Sequence, residues 1–296
     1  MSDTLHASRA AIGGTVVTVA ARGEQTKRVV PPPRQGGMSS AQLRYRRAEP
    51  VLLGVLCLVI VLVAWQVSSD AGWVNKLFVS SPTSVARQLG HYVTTHQFWL
   101  DLETTGVTFL EGLGLSLVVG LILGLAMGFS KRIGYFFDYA VSLSYAAPRI
   151  ALVPILILWF GIGRTTGVAM VFLLAVFPII INTMTGVQNV DATVLEMARS
   201  QKASTVQLFR TVIIPGSLPS VISGIRLAIG NGLIGVIVAE FLAGSSAGLG
   251  YTMQQAAQQF DAAQLFAGLI VISVLGLIAT QILRMVERHF QGWRTS

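Results

Sequence analysis

Arg149, Asn182, Arg226, Asn231 and Glu240 stand in or at the ends of long apolar runs, where a polar side chain is costly and therefore informative. Arg149 lies in SYAAPRIALVP, between two prolines that disturb a helix. Two readings fit it. Its guanidinium snorkels to a nearby cytoplasmic interface, as Arg226 would, or it fronts a water-filled path and attracts an anionic solute. Glu240 reads as a gate near an outer mouth or as a charge at a helix end. Arg149, Asn182, Asn231 and Glu240 are thus the candidate lining of a path through the molecule.

Other chemistry finds little support. The sequence carries no G-x-x-x-x-G-K-[ST] phosphate loop, no HExxH zinc motif and no G-x-S-x-G elbow on a plausible scaffold. GNGLIG, residues 230–235, matches a dinucleotide fingerprint in letters alone, because it follows no strand and lies within an apolar helical run. It reads instead as small residues at a packed helix interface. His91 and His96 fall in a polar loop and read as interfacial residues, not metal ligands. No acid, base and nucleophile cluster occurs in the apolar runs, so the chain reads as non-catalytic. The single Cys57 permits no intrachain disulfide.

The elements that must position these residues follow from composition. Of 296 residues, 53% are hydrophobic and only 11% charged, with a mean hydropathy of +0.67. That is a membrane composition. Six helical spans are expected: Val51–Val67, Leu113–Phe129, Ile150–Phe160 with its flanks, Val168–Thr183, Val221–Leu242 and Gln264–Leu283. Pro148 and Pro154 interrupt the third. Gly120, Gly124 and Gly128 repeat every fourth residue, which sets them on one helix face for close packing. Basic residues are unevenly shared between the loops. With the N-terminus inside, the cytoplasmic side holds Arg9 through Arg47, Lys131, Arg132, Arg199, Lys202, Arg210, Arg284, Arg288 and Arg294. The other side holds Lys76, Arg87 and Arg164. The net charge of +8 is then a topology signal, and nucleic-acid binding is excluded for want of a basic module interleaved with aromatics. Residues 1–48 read as a disordered basic tail, 49–103 as a first span with an outer segment, and 104–296 as a core.

A polar hairpin, about 190–215, breaks the apolar pattern. Asp191 is a helix N-cap, Ser204 with Gln207 forms a capping box, and Gln201–Ala203 makes the turn. The second helix is expected to end near Ile213, with Pro215 and Pro219 marking the return to the membrane. Leu195 and Ala198 on one helix, with Val206, Phe209 and Val212 or Ile213 on the other, form apolar edges. A pair this short needs something to pack on.

The run Glu196–Met197–Ala198, Lys202–Ala203–Ser204 and Val212–Ile213–Ile214–Pro215 resembles the EAA loop of permeases in binding-protein-dependent ABC importers. PRIALVPILILWFGIG (148–163), PGSLPSVISGIRLAIG (215–230), VAEFLAGSSAGLGY (238–251) and ERHFQGW (287–293) are similar to the nitrate/sulfonate/taurine-type branch. The resemblance covers roughly residues 50–294. It implies an all-α inner-membrane permease of the type I importer fold, with about six transmembrane helices. It also implies a cytoplasmic ATPase dimer that carries the ATP and magnesium, a second permease copy and an extracytoplasmic solute-binding protein. This chain itself would bind no cofactor and no metal. The residues implied in ATPase coupling are Glu196, Ala198, Arg199, Lys202, Ala203, Ser204, Phe209 and Pro215. Met197 replaces the motif's usual alanine. Lys202 replaces its glycine, at a cost on the order of 1–2 kcal/mol if the turn requires positive φ. The implied solute is a small anion or organic nutrient. An ion-coupled secondary transporter explains the broken spans but not the hairpin, and a non-transporting scaffold explains only the hairpin.

Overall fold

The computed structural model describes residues 40–75, 78–242 and 246–291. The chain divides into two units, Met1–Leu56 and Cys57–Ser296. Among described residues the first unit holds only the opening of α1 (Ser40–Asp70), and residues 1–39 of the expected tail lie outside them. Residues 40–48, read as tail, are helical instead. Ala41, Gln42, Leu43, Arg44, Arg46 and Arg47 are all good helix formers.

Every regular element among the described residues of the second unit is helical. Ser81 caps α2 (Pro82–Tyr92), where Pro82 takes the first helical position and loses no hydrogen bond there. Thr95 caps α3 (His96–Phe129), which runs unbroken through residue 104 and so through the expected edge of the core. α4 (Lys131–Ala146) ends before Pro148, as the residue preceding a proline avoids the helical region. A 3₁₀ turn (Arg149–Leu152) and α5 (Val153–Phe160) follow. The third expected span is therefore a bent pair, broken by 88° at residues 147–148. α6 (Arg164–Gln188), α9 (Ile214–Leu242) and α11 (Ala262–Gln291) complete the apolar set, with α10 (Leu249–Gln258) a short amphipathic helix between the last two. Among the described residues, five helices are long and apolar enough to cross a membrane, or six if the bent pair counts as one span.

α6 is the centre of the bundle. Over its most apolar window 56% of α6 is buried, against 17% for α11. Phe109 and Leu113 of α3, Val171, Ala175 and Ile179 of α6, and Ala228 and Val236 of α9 form the main core. Small residues bring the three backbones together. A Cβ on Gly112, Gly120, Gly124 or Gly128 would stand 2.5–2.8 Å from the Cβ of Val171, Ile179, Thr183 or Val187, respectively. No side chain fits there, and the spacing read from sequence is this seam. Gly224 of α9 meets Asn182 of α6 in the same manner. In lipid, such close packing holds helices together where no hydrophobic force acts between them.

Candidate functional site

Three places hold the residues singled out in the sequence. The first is the hairpin. Asp191 Oδ1 accepts from the Thr193 amide at the start of α7 (Ala192–Ser200). At its end, the Lys202 amide donates to the Arg199 carbonyl and the Ala203 amide to the Ala198 carbonyl. These two bonds define a Schellman cap, whose left-handed position glycine normally fills. Lys202 fills it here at φ 57°, so the turn does require positive φ. Ser204 opens α8 (Thr205–Leu208) with a complete capping box, its Oγ accepting from Gln207 N and Gln207 Oε1 accepting from Ser204 N.

The expected helix end at Ile213 is absent. A π-helical turn (Phe209–Ile213) joins α8 to α9, and Thr205–Leu242 is a single apolar rod. The widened turn surrounds Thr211, whose carbonyl the Pro215 ring would otherwise meet, so Pro215 is carried within the rod, and Pro219 lies one turn further inside α9. Leu208 and Ile213 are buried against Val187, with Leu195, Ala198 and Phe209 packed around them. The Phe209 ring meets Phe129 edge-on at 5.3 Å. Glu196, Met197, Arg199, Lys202, Ser204 and Val206 face outward. One side of the hairpin is thus clasped by the bundle and the other is presented. A cavity of about 560 Å³ lies at its base, walled by Lys131, Tyr135, Asp138 and Arg199 over a floor of Met184 and Val187.

The second place is a buried polar network at the opposite end, which the sequence reading missed apart from Glu240. Asp101 of α3 is fully buried. Its carboxylate accepts from Tyr92 OH (2.6 Å), Gln97 Nε2 (2.8 Å), Thr252 Oγ1 (2.5 Å) and the Gly248 amide (2.9 Å). Glu240, near the end of α9, accepts from Thr105 Oγ1 and the Gly250 amide, both at 2.8 Å. Thr105 Oγ1 in turn lies 2.9 Å from the Leu249 amide. Two carboxylates and a hydroxyl therefore take up the first amides of α10, where the helix dipole favours negative charge. Gly248 is fixed twice over: its φ is 127°, and a Cβ there would stand 2.5 Å from Glu240 Cδ. Burial first, then the bond to Asp101, holds the Tyr92 phenol well above its ordinary range, so it stays a donor. Glu240 also borders a second cavity, of about 490 Å³, with Thr104, Thr108, Gly163 and Arg164. Arg164 pairs with Glu111 at this rim. Besides Glu240, the sequence signal for the network was Asp101, at the head of an apolar run.

The third place is the break after α4. The Arg149 guanidinium carbon lies 5.0 Å from the Tyr145 ring centre and 5.8 Å from that of Phe177, and Nη1 donates to the Leu174 carbonyl at 3.4 Å. Asn182 donates to the Pro178 carbonyl one turn back in α6. Asn231 is half-buried on α9, and Arg226 pairs with Glu287 of α11 at 2.8 Å. The four candidate path residues are thus spread over separate places and do not form one cluster.

Residues 116–292 match the family model described as the binding-protein-dependent transport system inner membrane component. The chain belongs to this family. It is 33% identical over 82% of its length to the aliphatic sulfonates transport permease protein SsuC of Bacillus subtilis, spanning 88% of that protein. It is 32% identical to the formylaminopyrimidine transport permease protein ThiX of Halalkalibacterium halodurans, over 84% of this chain and 97% of that one. It is 27% identical to the taurine transport system permease protein TauC of Escherichia coli, over 86% and 95%. An inward-facing form of the MetNI methionine ABC transporter shares the fold, with a TM-score of 0.52 at 18% identity over 70% of this chain and 96% of that one. The protein is a multi-pass ABC importer permease with the type I importer fold.

Proposed function

We propose that this permease forms the solute path of an importer and couples it, through the hairpin, to a separate cytoplasmic ATPase dimer that binds ATP and magnesium. The observation that carries this is the two-sided hairpin. Its apolar edge is packed on the bundle, while Glu196, Arg199, Lys202 and Ser204 are presented on a backbone fixed by two caps. Ala198, Ala203, Phe209 and Pro215 hold that shape from within. The uneven sharing of Lys and Arg supports a cytoplasmic hairpin and cytoplasmic termini in the inner membrane. A second copy of the permease and an extracytoplasmic binding protein complete the assembly, as closed two-fold arrangements are the commonest for such chains. ATP binding draws the hairpins together and turns the path outward, and hydrolysis returns it. Arg149, Asn182, Asn231 and Glu240 are assigned to the path, and the solute is a small sulfonate-type anion.

Co-purification from host membranes tests the coupling. A tagged wild-type chain is expected to bring down an ATPase with a Walker-type phosphate loop, and Glu196→Lys to lose it while remaining folded. Equal recovery with both would remove the hairpin from the docking surface. No ATPase with either would favour an ion-coupled transporter.

A further inference from the structure

Arg149 is placed where a charge is least welcome. Its Nη1 reaches the Leu174 carbonyl, and Leu174 stands roughly 15 Å along α6 from the end at Arg164 and roughly 21 Å from the end at Gln188, at 1.5 Å per residue. In a hydrocarbon core about 30 Å thick, the guanidinium is near mid-depth and beyond snorkelling reach of either face. With the two ends of α6 taken as the two faces, this placement favours the path reading of Arg149 over the interfacial one.

No carboxylate among the described residues lies within ion-pair distance of it. The rings of Tyr145 and Phe177 offer attraction without neutralising the charge, and a single long bond to a carbonyl engages one of five N–H donors. Arg149 is half-buried, and Tyr145 is 46% exposed on the surface of the chain. The cation is therefore held in place, largely unspent, and open on one side. It also sits at a helix broken by 88°, the kind of feature that lines aqueous paths in transport proteins because irregular backbone is not tolerated against lipid.

We infer that Arg149, caged by Tyr145 and Phe177, is the point in the path that recognises the anionic group of the solute. This rests on the importer reading and its proposed sulfonate-type solute, and names the residue that would hold the anion. The planar fork of a guanidinium takes two oxygens of one anion at once and keeps its charge at any physiological pH. A sulfonate offers three equivalent oxygens and is likewise always charged. Tyr145 and Phe177 act as positioning residues that fix the plane of the fork. A solute without an anionic group, such as a neutral heterocycle, leaves the fork unmatched and is disfavoured.

The test uses the full chain in native membrane vesicles. In a Cys57→Ser background, Tyr145→Cys places a thiol beside the guanidinium. Its reaction rate is measured with the sulfonate-bearing reagent 2-sulfonatoethyl methanethiosulfonate and with the trimethylammonium analogue, with Arg149 present and as Arg149→Gln. Ile150→Cys, also exposed, serves as a second reporter in case Tyr145→Cys does not fold. The sulfonate reagent is expected to react faster, and the ratio of the two rates to fall by about tenfold or more in Arg149→Gln. An unchanged ratio, or thiols that react with neither reagent, overturns the site. Recovery of the ATPase with the same variants is scored separately. A flat ratio with the ATPase retained sinks the anion site alone, and loss of the ATPase with wild-type Arg149 sinks the importer reading, whatever the ratio.

Discussion

Three side chains are in environments that ordinary rules disfavour, and each exposes a distinct cost. Lys202 holds a left-handed turn that glycine would hold without strain. Lys202→Gly is expected to relieve roughly 1–2 kcal/mol of strain and to lose about 1 kcal/mol to the freer unfolded chain. The net gain is small, seen as amide exchange at Gln201 and Ala203 slowed by a factor of up to about 5. Faster exchange there would mean that the lysine side chain supports the turn. Thr183 buries a hydroxyl with no partner among the described residues. Thr183→Val keeps the shape and removes an unsatisfied polar atom, so thermal unfolding in detergent should show equal or higher stability. Asp101 is the opposite case. Asp101→Ala strands two hydroxyls, an amide side chain and a backbone N–H in a dry site, and should cost more than about 3 kcal/mol in the same assay.

At the scale of elements, the seam between α3 and α6 makes a paired prediction. Gly124→Ala should destabilise by about 1–3 kcal/mol, because a Cβ there meets Thr183 and the Ile180 carbonyl. Gly114→Ala has open space and should be neutral or up to about 1 kcal/mol more stable. Equal effects at both sites would deny that close approach decides the seam. The four-residue spacing made that face legible from sequence, as did the capping box and the Asp191 cap, since each is a local pattern. The continuity of α8 into α9 was not legible. Two prolines there predict a break, yet the π-helical turn, a property of the whole segment, accommodates Pro215, and α9 continues through Pro219. The far-end network was hidden for a related reason. Asp101, Glu240 and the amides of α10 are far apart in the chain, and no spacing rule links them.

For the whole molecule, α3, α6 and α9 are joined along their lengths by contacts too close to slide. They carry the hairpin at one end and the Asp101–Glu240 network at the other. Spin labels at Val206, Leu227 and Trp99, all exposed, would report motion at the hairpin end, midway along α9 and at the far end. In the proposed two-copy assembly, nucleotide is expected to shorten the Val206 distance and lengthen that at Trp99, with Leu227 changing least. A change at Leu227 as large as at the ends would show that the three helices do not move as one.

A plate that can neither bend nor slip retains only one useful freedom, rotation about a line across its middle. Its two edges then travel in opposite senses, and the points near the axis scarcely travel at all. The Leu174 carbonyl that holds Arg149 lies near the middle of α6 and so close to such a line. If Arg149 recognises the solute as inferred above, the machine has no need to carry its cation from one face of the bilayer to the other. The recognition point would stay still while its surroundings change sides.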